Sequence, residues 1–141
     1  MIEDASRKSV TLLLTTVFIG LSAGDVVDWI SAPADHVRPL NGTVTFDCLV
    51  RGVGNRTVLW SKTDDDGTSR MLFINETPFD APARYRSSRA QDGSGYRLII
   101  VRIDANDDAD YVCEIQRLVK ESAHLTVLGI VIIYSSLFTI R

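Results

Sequence analysis

The chain has 141 residues, with 15 Lys and Arg against 18 Asp and Glu, so its formal net charge is −3. This length suits one ordinary domain of roughly 100–200 residues. The mild acidity excludes the strongly basic footprint that nucleic-acid binding requires.

The N-terminal segment has the pattern of a secretory signal peptide. Arg7 and Lys8 precede an apolar run from Val10 to Leu21, and small residues follow at 22–24. A signal peptide needs an apolar stretch of roughly 7–15 residues before a small-residue cleavage site, whereas a membrane anchor needs about 20. We therefore expect residues 1–24 to be a signal peptide. Its removal leaves 13 basic and 16 acidic residues, again a net charge of −3.

Export affects the interpretation of two further features. In an oxidising compartment an even number of cysteines favours pairing, and Cys48 and Cys113 are the only two in the chain. Three Asn-x-Thr sequons agree with export, because such sequons accept N-linked glycans in secreted proteins. They begin at Asn41, Asn55 and Asn75. We expect one glycosylated domain over residues 25–128.

Short β-rich runs separated by Gly, Asn, Asp and Pro clusters are the pattern of an all-β sandwich. The first clear run, 43–50, alternates so that Val44, Phe46 and Cys48 share one face. The other predicted strands are 57–62, 70–75, 96–103, 110–116 and 122–128. Strands joined by such short turns must pair antiparallel, because parallel neighbours need a long crossover.

A set of spacings in this chain resembles the immunoglobulin fold of the V-like or I-like type. Trp60 follows Cys48 by 12 residues, and Cys113 follows Cys48 by 65. The pattern D-x-A-x-Y-x-C reads here as Asp107, Ala109, Tyr111 and Cys113, after an apolar pattern of Leu98, Ile100 and Ile103. The stretch 96–116 is similar to that of invertebrate cell-adhesion immunoglobulin proteins of the lachesin type.

The resemblance implies an antiparallel two-sheet sandwich of the V-like kind, with an inter-sheet disulfide between the two cysteines and Trp60 packed on it. Leu98 would be a core residue. It also implies that Asp107 pairs with an arginine at the start of a strand, for which Arg84 is the best match. The hydroxyl of Tyr111 would bond back to the backbone at the preceding corner.

The other acidic residues of this corner are expected to be solvated turn residues. They are Asp104, Asp108 and Asp110. The corner lacks the calcium-loop pattern, and His36 and His124 lie in no metal-spaced cluster. No G-x-S-x-G elbow occurs, and a disulfide leaves no free thiol. We expect no enzyme activity, no catalytic residue, no metal site and no cofactor.

Binding is what this fold usually offers, through exposed positions rather than through the fold itself. Alternation from the inward Trp60 and Cys113, together with the V-like resemblance, predicts an outward face on the strands that the family labels C, C′, F and G. Its residues, here named the contact face, are Leu59, Ser61, Met71, Ile74, Val112, Glu114, Gln116 and Leu118. Such an apolar face favours a protein partner, either another immunoglobulin protein or a second copy. Scattered surface apolar residues are the alternative, since a one-residue slip in register would reverse the face.

We expect a recognition or adhesion protein of the cell surface or extracellular space. One alternative is a secreted soluble ligand or decoy with the same face. Another is a matrix module that binds heparin through Arg84, Arg86 and Arg89, although a structural arginine on a solvated strand explains these residues more simply. A glycan at Asn75 would lie beside the contact face, whereas Asn41 and Asn55 are expected to be clear of it.

The C-terminal residues 129–141 are apolar up to Ile140. Twelve such residues span about 18 Å as a helix, against about 30 Å of bilayer core. Three interpretations stay open: a truncated membrane span, an interfacial or self-associating tail, and an extension packed on the domain. Membrane association through this tail is therefore one expectation among three.

Overall fold

The computed structural model describes residues 26–133 and 136–140, with side chains described through Gly129. The described residues form two β-sheets that pack face to face. The expected signal peptide, residues 1–24, lies outside them and stays a prediction.

The smaller sheet has four strands and the larger has seven. The smaller sheet runs in the order β1 (Trp29–Ser31), β3 (Val44–Val50), β8 (Gly95–Ile100) and β7 (Tyr85–Arg89). The larger sheet runs in the order β11 (Ser136–Ile140), β10 (Val119–Ile133), β9 (Ala109–Ile115), β4 (Val58–Thr63), β5 (Ser69–Ile74) and β6 (Thr77–Pro78). A further strand, β2 (His36–Pro39), pairs with β10.

The strand pairing is antiparallel within the described sheets, with one parallel pair. In that pair β2 runs beside 125–128 of β10, with His36 opposite Leu125. These strands are far apart in sequence, so turn lengths carry no information about their direction. The fold class predicted from the sequence, an immunoglobulin-like sandwich of the V-like kind, is confirmed.

Two predicted strands have bounds that differ from those of the structure by more than one residue. The strand expected over 96–103 ends at Ile100, because Arg102 turns the chain with φ +49°. The last strand was expected over 122–128. It extends from Val119 to Ile133, and β11 pairs back on it from Gly129 onward.

The hydrophobic core lies between the two sheets, and a disulfide crosses it from one sheet to the other. Cys48 of β3 and Cys113 of β9 are bonded, with their Cα atoms 6.4 Å apart, and both are fully buried. Trp60 is directly opposite Cys113 in the β4–β9 pair and is also fully buried. In the chain-entropy model, closing a loop of 65 residues stabilises the fold by about 4 kcal/mol. The predicted inter-sheet disulfide is thus confirmed.

The C-terminal residues described here continue the larger sheet as a hairpin. Gly129 lies opposite Ile140, and Ile133 lies opposite Ser136. Within residues 26–133 and 136–140, no helix has the length and apolar character needed to cross a membrane. Membrane association of this segment stays a prediction.

Candidate functional site

The contact face is laid out in two cross-strand rows. In the first row, Leu59 of β4 lies opposite Ile74 of β5 on one side and Glu114 of β9 on the other. In the second row, Ser61 lies between Met71 and Val112. Directly opposed residues in a sheet project from the same side, so each row places its members on one face. Residues 59 and 61 also share that side, because side chains alternate along a strand.

A bulge explains how Met71 and Ile74 join the same face. Residues three apart in a regular strand point to opposite sides. The β4–β5 register shifts between Trp60 and Ser61, so that Leu72 is an extra residue on β5. Leu72 and Phe73 are both buried, at 0% and 3% exposure. The bulge therefore turns two adjacent apolar residues inward and leaves the residues on either side facing out.

The turn between β9 and β10 closes one end of the face. Gln116 donates its amide to the Thr57 carbonyl at 2.9 Å, and Leu118 donates to the Ile115 carbonyl at 3.0 Å. Gln116 and Leu118 are both exposed. The apolar part of the face is only partly covered: Met71 and Leu118 are each 37% exposed, and Leu59 and Val112 are half-buried.

Phe79 is an exposed aromatic at the edge of the larger sheet that the sequence reasoning missed. Its amide donates to the Leu72 carbonyl at 2.9 Å, which continues the pairing of β6 along β5. Its side chain is 59% exposed, more than that of Met71. An aromatic residue next to the proline of a short edge strand could have signalled it, since proline is confined to such edges.

The acidic corner contains a buried ion pair. Arg84 donates from Nη1 to Oδ2 of Asp107 at 2.8 Å and from Nη2 to Oδ1 at 3.1 Å. The Asp107 side chain is 2% exposed and the Arg84 side chain is 19% exposed. Asp107 also accepts the amide of Asp104 at 2.8 Å, at the start of the 3₁₀ turn Ala105–Asp107. The two-point geometry is what a guanidinium offers a carboxylate.

Two tyrosines complete the corner. Tyr111 donates its hydroxyl to the backbone carbonyl of Asp107 at 2.7 Å, and Tyr85 donates its hydroxyl to the Asp107 carboxylate. Burial raises the pKa of both tyrosines, so both hydroxyls stay protonated donors. Burial alone would raise the pKa of Asp107. Hydrogen bonds from Arg84, Tyr85 and Asp104 outweigh burial and hold that pKa below its ordinary value.

The remaining aspartates are not simply solvated, which corrects the expectation from the sequence. Asp104 caps the 3₁₀ turn and pairs with Arg84 at 3.0 Å. Asp108 accepts the amide of Val127 at 2.9 Å and contacts Nε2 of His124 at 3.2 Å. Asp110 contacts Nδ1 of the same histidine at 2.8 Å. The corner therefore ties β9 to β10.

The sequons lie at both ends of the sandwich. Asn41 is exposed, and its amide donates to the Ile103 carbonyl at 2.8 Å. Asn55 is also exposed and lines a shallow groove with Gln116 and Arg117. The prediction that Asn55 lies clear of the contact face is wrong, because this groove borders the turn that closes it. Asn75 directly follows Ile74 and is half-buried.

The other polar candidates have structural partners. His36 packs edge-on against Phe46, with ring centroids 5.4 Å apart, and burial lowers the pKa of His36. Arg84 is held in the corner, which leaves Arg86 and Arg89 as the exposed cations of β7. Among residues 26–133 and 136–140, no group of three or more His, Cys, Asp and Glu side chains is arranged to hold a metal ion.

The chain is similar to known proteins over most of the described residues, although no protein-family model matches it. It is 30% identical to lachesin of Drosophila melanogaster over 108 residues, which are 73% of this chain and 28% of that protein. It is 25% identical to T cell receptor beta variable 30 of Homo sapiens over 109 residues, which are 74% of this chain and 95% of that protein.

A solved structure shares the fold. The crystal structure of the RIG-5 IG1 homodimer superposes with a TM-score of 0.62 at 24% sequence identity, covering 72% of this chain and 95% of that one. Together with the inter-sheet disulfide, these similarities identify the chain as a member of the immunoglobulin superfamily with a V-like domain.

Proposed function

We propose that this domain is a recognition module that binds a second immunoglobulin domain, in the first instance another copy of itself, through the contact face. The observation that carries the proposal is the pair of cross-strand rows that hold Leu59, Ile74, Met71 and Val112 on one outward side of the larger sheet. Apolar side chains that lie together on one partly exposed sheet face are often a site of protein contact.

The charges of the face suit a second copy. Glu114 of β9 lies directly opposite Lys120 of β10 in the first row, so this row carries one charge of each sign. When two copies meet about a two-fold axis, the same surface lies on both sides. A face with balanced charges can meet itself without the like-charge repulsion that opposes wrong partners.

The size of the face predicts a weak contact. Four strands about 4.8 Å apart, each about 20 Å long, give a projected area of roughly 400 Å². Stable complexes bury about 800 Å² on each partner. A contact between two copies therefore falls at the small end of specific interfaces, and we expect dissociation constants in the micromolar range or weaker. Such affinities suit adhesion through many copies, where effective concentration multiplies the strength of each contact.

The relatives support this type of function without identifying the partner. One similar domain was solved as a homodimer. The chain spans 28% of the length of lachesin, so the activity of that whole protein is not carried over. We further propose that residues 1–24 direct export, so that recognition takes place at the cell surface or outside the cell.

The test is sedimentation equilibrium of the exported chain over a wide concentration range. Met71→Asp and Val112→Asp each place an unpaired charge in the second row, on either side of Ser61. We expect either change to weaken self-association at least tenfold, because burying an unpaired charge is costly. Thr45→Asp is the matched control: Thr45 is exposed on β3 of the other sheet, and this variant should associate like the parent.

Retained folding must be shown for each variant, by an unchanged urea midpoint. Equal association of the parent and Met71→Asp would contradict the proposed face. A parent chain that stays monomeric at millimolar concentration would exclude the second copy as the partner.

A further inference from the structure

The three sequons differ in what their carboxamides do in the folded chain. The side chains of Asn41 and Asn55 are exposed and form no hydrogen bond with any other residue of the described chain. Asn75 instead forms two hydrogen bonds with Val58, the first residue of β4. Its Oδ1 accepts the amide of Val58 at 2.9 Å, while its own amide donates to the Val58 carbonyl at 2.7 Å. The three carboxamides are therefore not equivalent sites for modification.

The backbone does not separate Asn75 from Asn41, because Asn75 has φ +52° and Asn41 has φ +67°, both left-handed conformations that asparagine tolerates better than most residues. The difference lies in the side chain and in the position of Asn75, which directly follows β5. Both Asn75 and Asn55 line a cleft with Arg89, but Asn75 is half-buried there whereas Asn55 is exposed. Asn75 thus has a structural role in the β4–β5 hairpin that accounts for an asparagine here without any sugar.

We propose that Asn41 and Asn55 carry N-linked glycans, and that Asn75 is a structural asparagine that remains largely unmodified. In the transfer, Nδ2 forms a bond to the anomeric carbon of an oligosaccharide and loses one proton. The bond from that carbon to the pyrophosphate of a lipid-linked donor breaks, and the lipid pyrophosphate leaves. Exposed carboxamides offer Nδ2 both before and after folding, whereas Asn75 offers it freely only until β4 and β5 pair.

The placement of the two glycans has a consequence for binding. Asn55 borders the turn at Gln116 and Arg117, so its glycan covers that end of the sandwich. Asn41 lies at the opposite end, where its amide bonds to the Ile103 carbonyl. The sugar at Asn55 covers the Gln116 end of the contact face, while the two cross-strand rows lie away from both sugars, which directs a protein partner to these rows rather than to the loops.

The test is site occupancy in the full chain made by secretory cells. Enzymatic release of the glycans in heavy-oxygen water converts each formerly modified asparagine to a mass-tagged aspartate, which peptide mass spectrometry then counts. We expect tags on most copies of Asn41 and Asn55 and on a small fraction of Asn75. Most copies tagged at Asn75, an untagged Asn55, or a chain without glycans would each overturn the proposal.

Threonine variants remove the sequon but keep the asparagine, so they separate the effect of the sugar from that of the asparagine side chain. Thr43→Ala and Thr57→Ala should each remove one glycan from the intact mass, and Thr77→Ala should remove almost none. Asn75→Ala should lower the melting temperature, whereas Thr77→Ala should not. Asn75→Asp keeps the acceptor oxygen, so it should lose much less stability than Asn75→Ala. A Thr77→Ala variant that loses a full glycan would assign Asn75 to modification instead. This test does not depend on self-association, so its result is independent of the proposed partner.

Discussion

Removal of Arg84 tests the buried corner most sharply. Arg84→Met keeps much of the side-chain length and deletes the charge that faces Asp107 across 2.8 Å. Because Asp107 is almost fully buried, the variant leaves an unpaired carboxylate inside the protein. Breaking a buried pair from one side costs about 3–5 kcal/mol. Since Arg84 itself retains some exposure, we take the lower figure, about 3 kcal/mol, a large part of the roughly 5–15 kcal/mol that stabilises a domain.

The pH dependence distinguishes this mechanism from general damage. In the parent, the pKa of Asp107 is held below its ordinary value of 3.8, so its contribution is present above that pH and is lost as the pH falls through the folded-state value. In Arg84→Met, burial remains and the lowering effect of the guanidinium is lost, so we expect the pKa of Asp107 to rise relative to the parent. The carboxylate then takes up a proton as the solution becomes acidic, and the cost of the variant should shrink between pH 7 and pH 4.

Urea unfolding followed by tryptophan fluorescence measures both effects. Arg86→Met is the control, because Arg86 lies two residues further along the chain, on β7, and is exposed. It should change the free energy of unfolding by less than about 0.5 kcal/mol. The reasoning would be refuted if Arg84→Met cost less than about 1 kcal/mol at pH 7, or cost the same at pH 4 as at pH 7.

Three further changes should separate the contributions of other contacts. Replacing Cys48 and Cys113 together by alanine should lower the free energy of unfolding by about 4 kcal/mol, measured by urea unfolding beside the oxidised parent. A loss below about 1 kcal/mol would contradict the role of the cross-link. Asp108→Ala should cost about 2 kcal/mol, since its carboxylate holds the Val127 amide and it is mostly buried, while the more exposed Asp110→Ala should cost under about 1 kcal/mol. Thermal unfolding of the two variants measures which of them loses more stability. A larger loss in Asp110→Ala than in Asp108→Ala would contradict this reasoning. Phe79→Ser should leave the free energy of unfolding within about 0.5 kcal/mol of the parent in urea unfolding, because the side chain is 59% exposed; a loss above about 1 kcal/mol would contradict this reasoning.

The fold was predictable because its signals are local and mutually consistent. The alternation of Val44, Phe46 and Cys48 sets the inward side of β3, and all three are buried. The spacing from Cys48 to Trp60 and Cys113 then places the tryptophan directly opposite the second cysteine. Period-two patterns and fixed spacings depend on the backbone alone, so a single sequence carries them.

The missed features depend on contacts between distant segments. Asp108 was expected to be solvated, but its partners His124 and Val127 lie on another strand. The parallel pairing of β2 with β10 joins residues about 90 apart. Asn55 was expected to lie clear of the contact face, yet packing of two loops brings it beside Gln116. No local pattern specifies which loops meet, so these placements required the folded chain.

The most direct test of the account is hydroxyl-radical footprinting of the exported chain at low and high concentration. Met71 belongs to the second row of the contact face, and its thioether is an oxidation-sensitive probe. Leu40, exposed at the far end of the sandwich, is the internal reference. We predict that the labelling of Met71 falls at least twofold relative to Leu40 as the chain associates. Association with unchanged labelling of Met71 would contradict the contact face as the site of recognition.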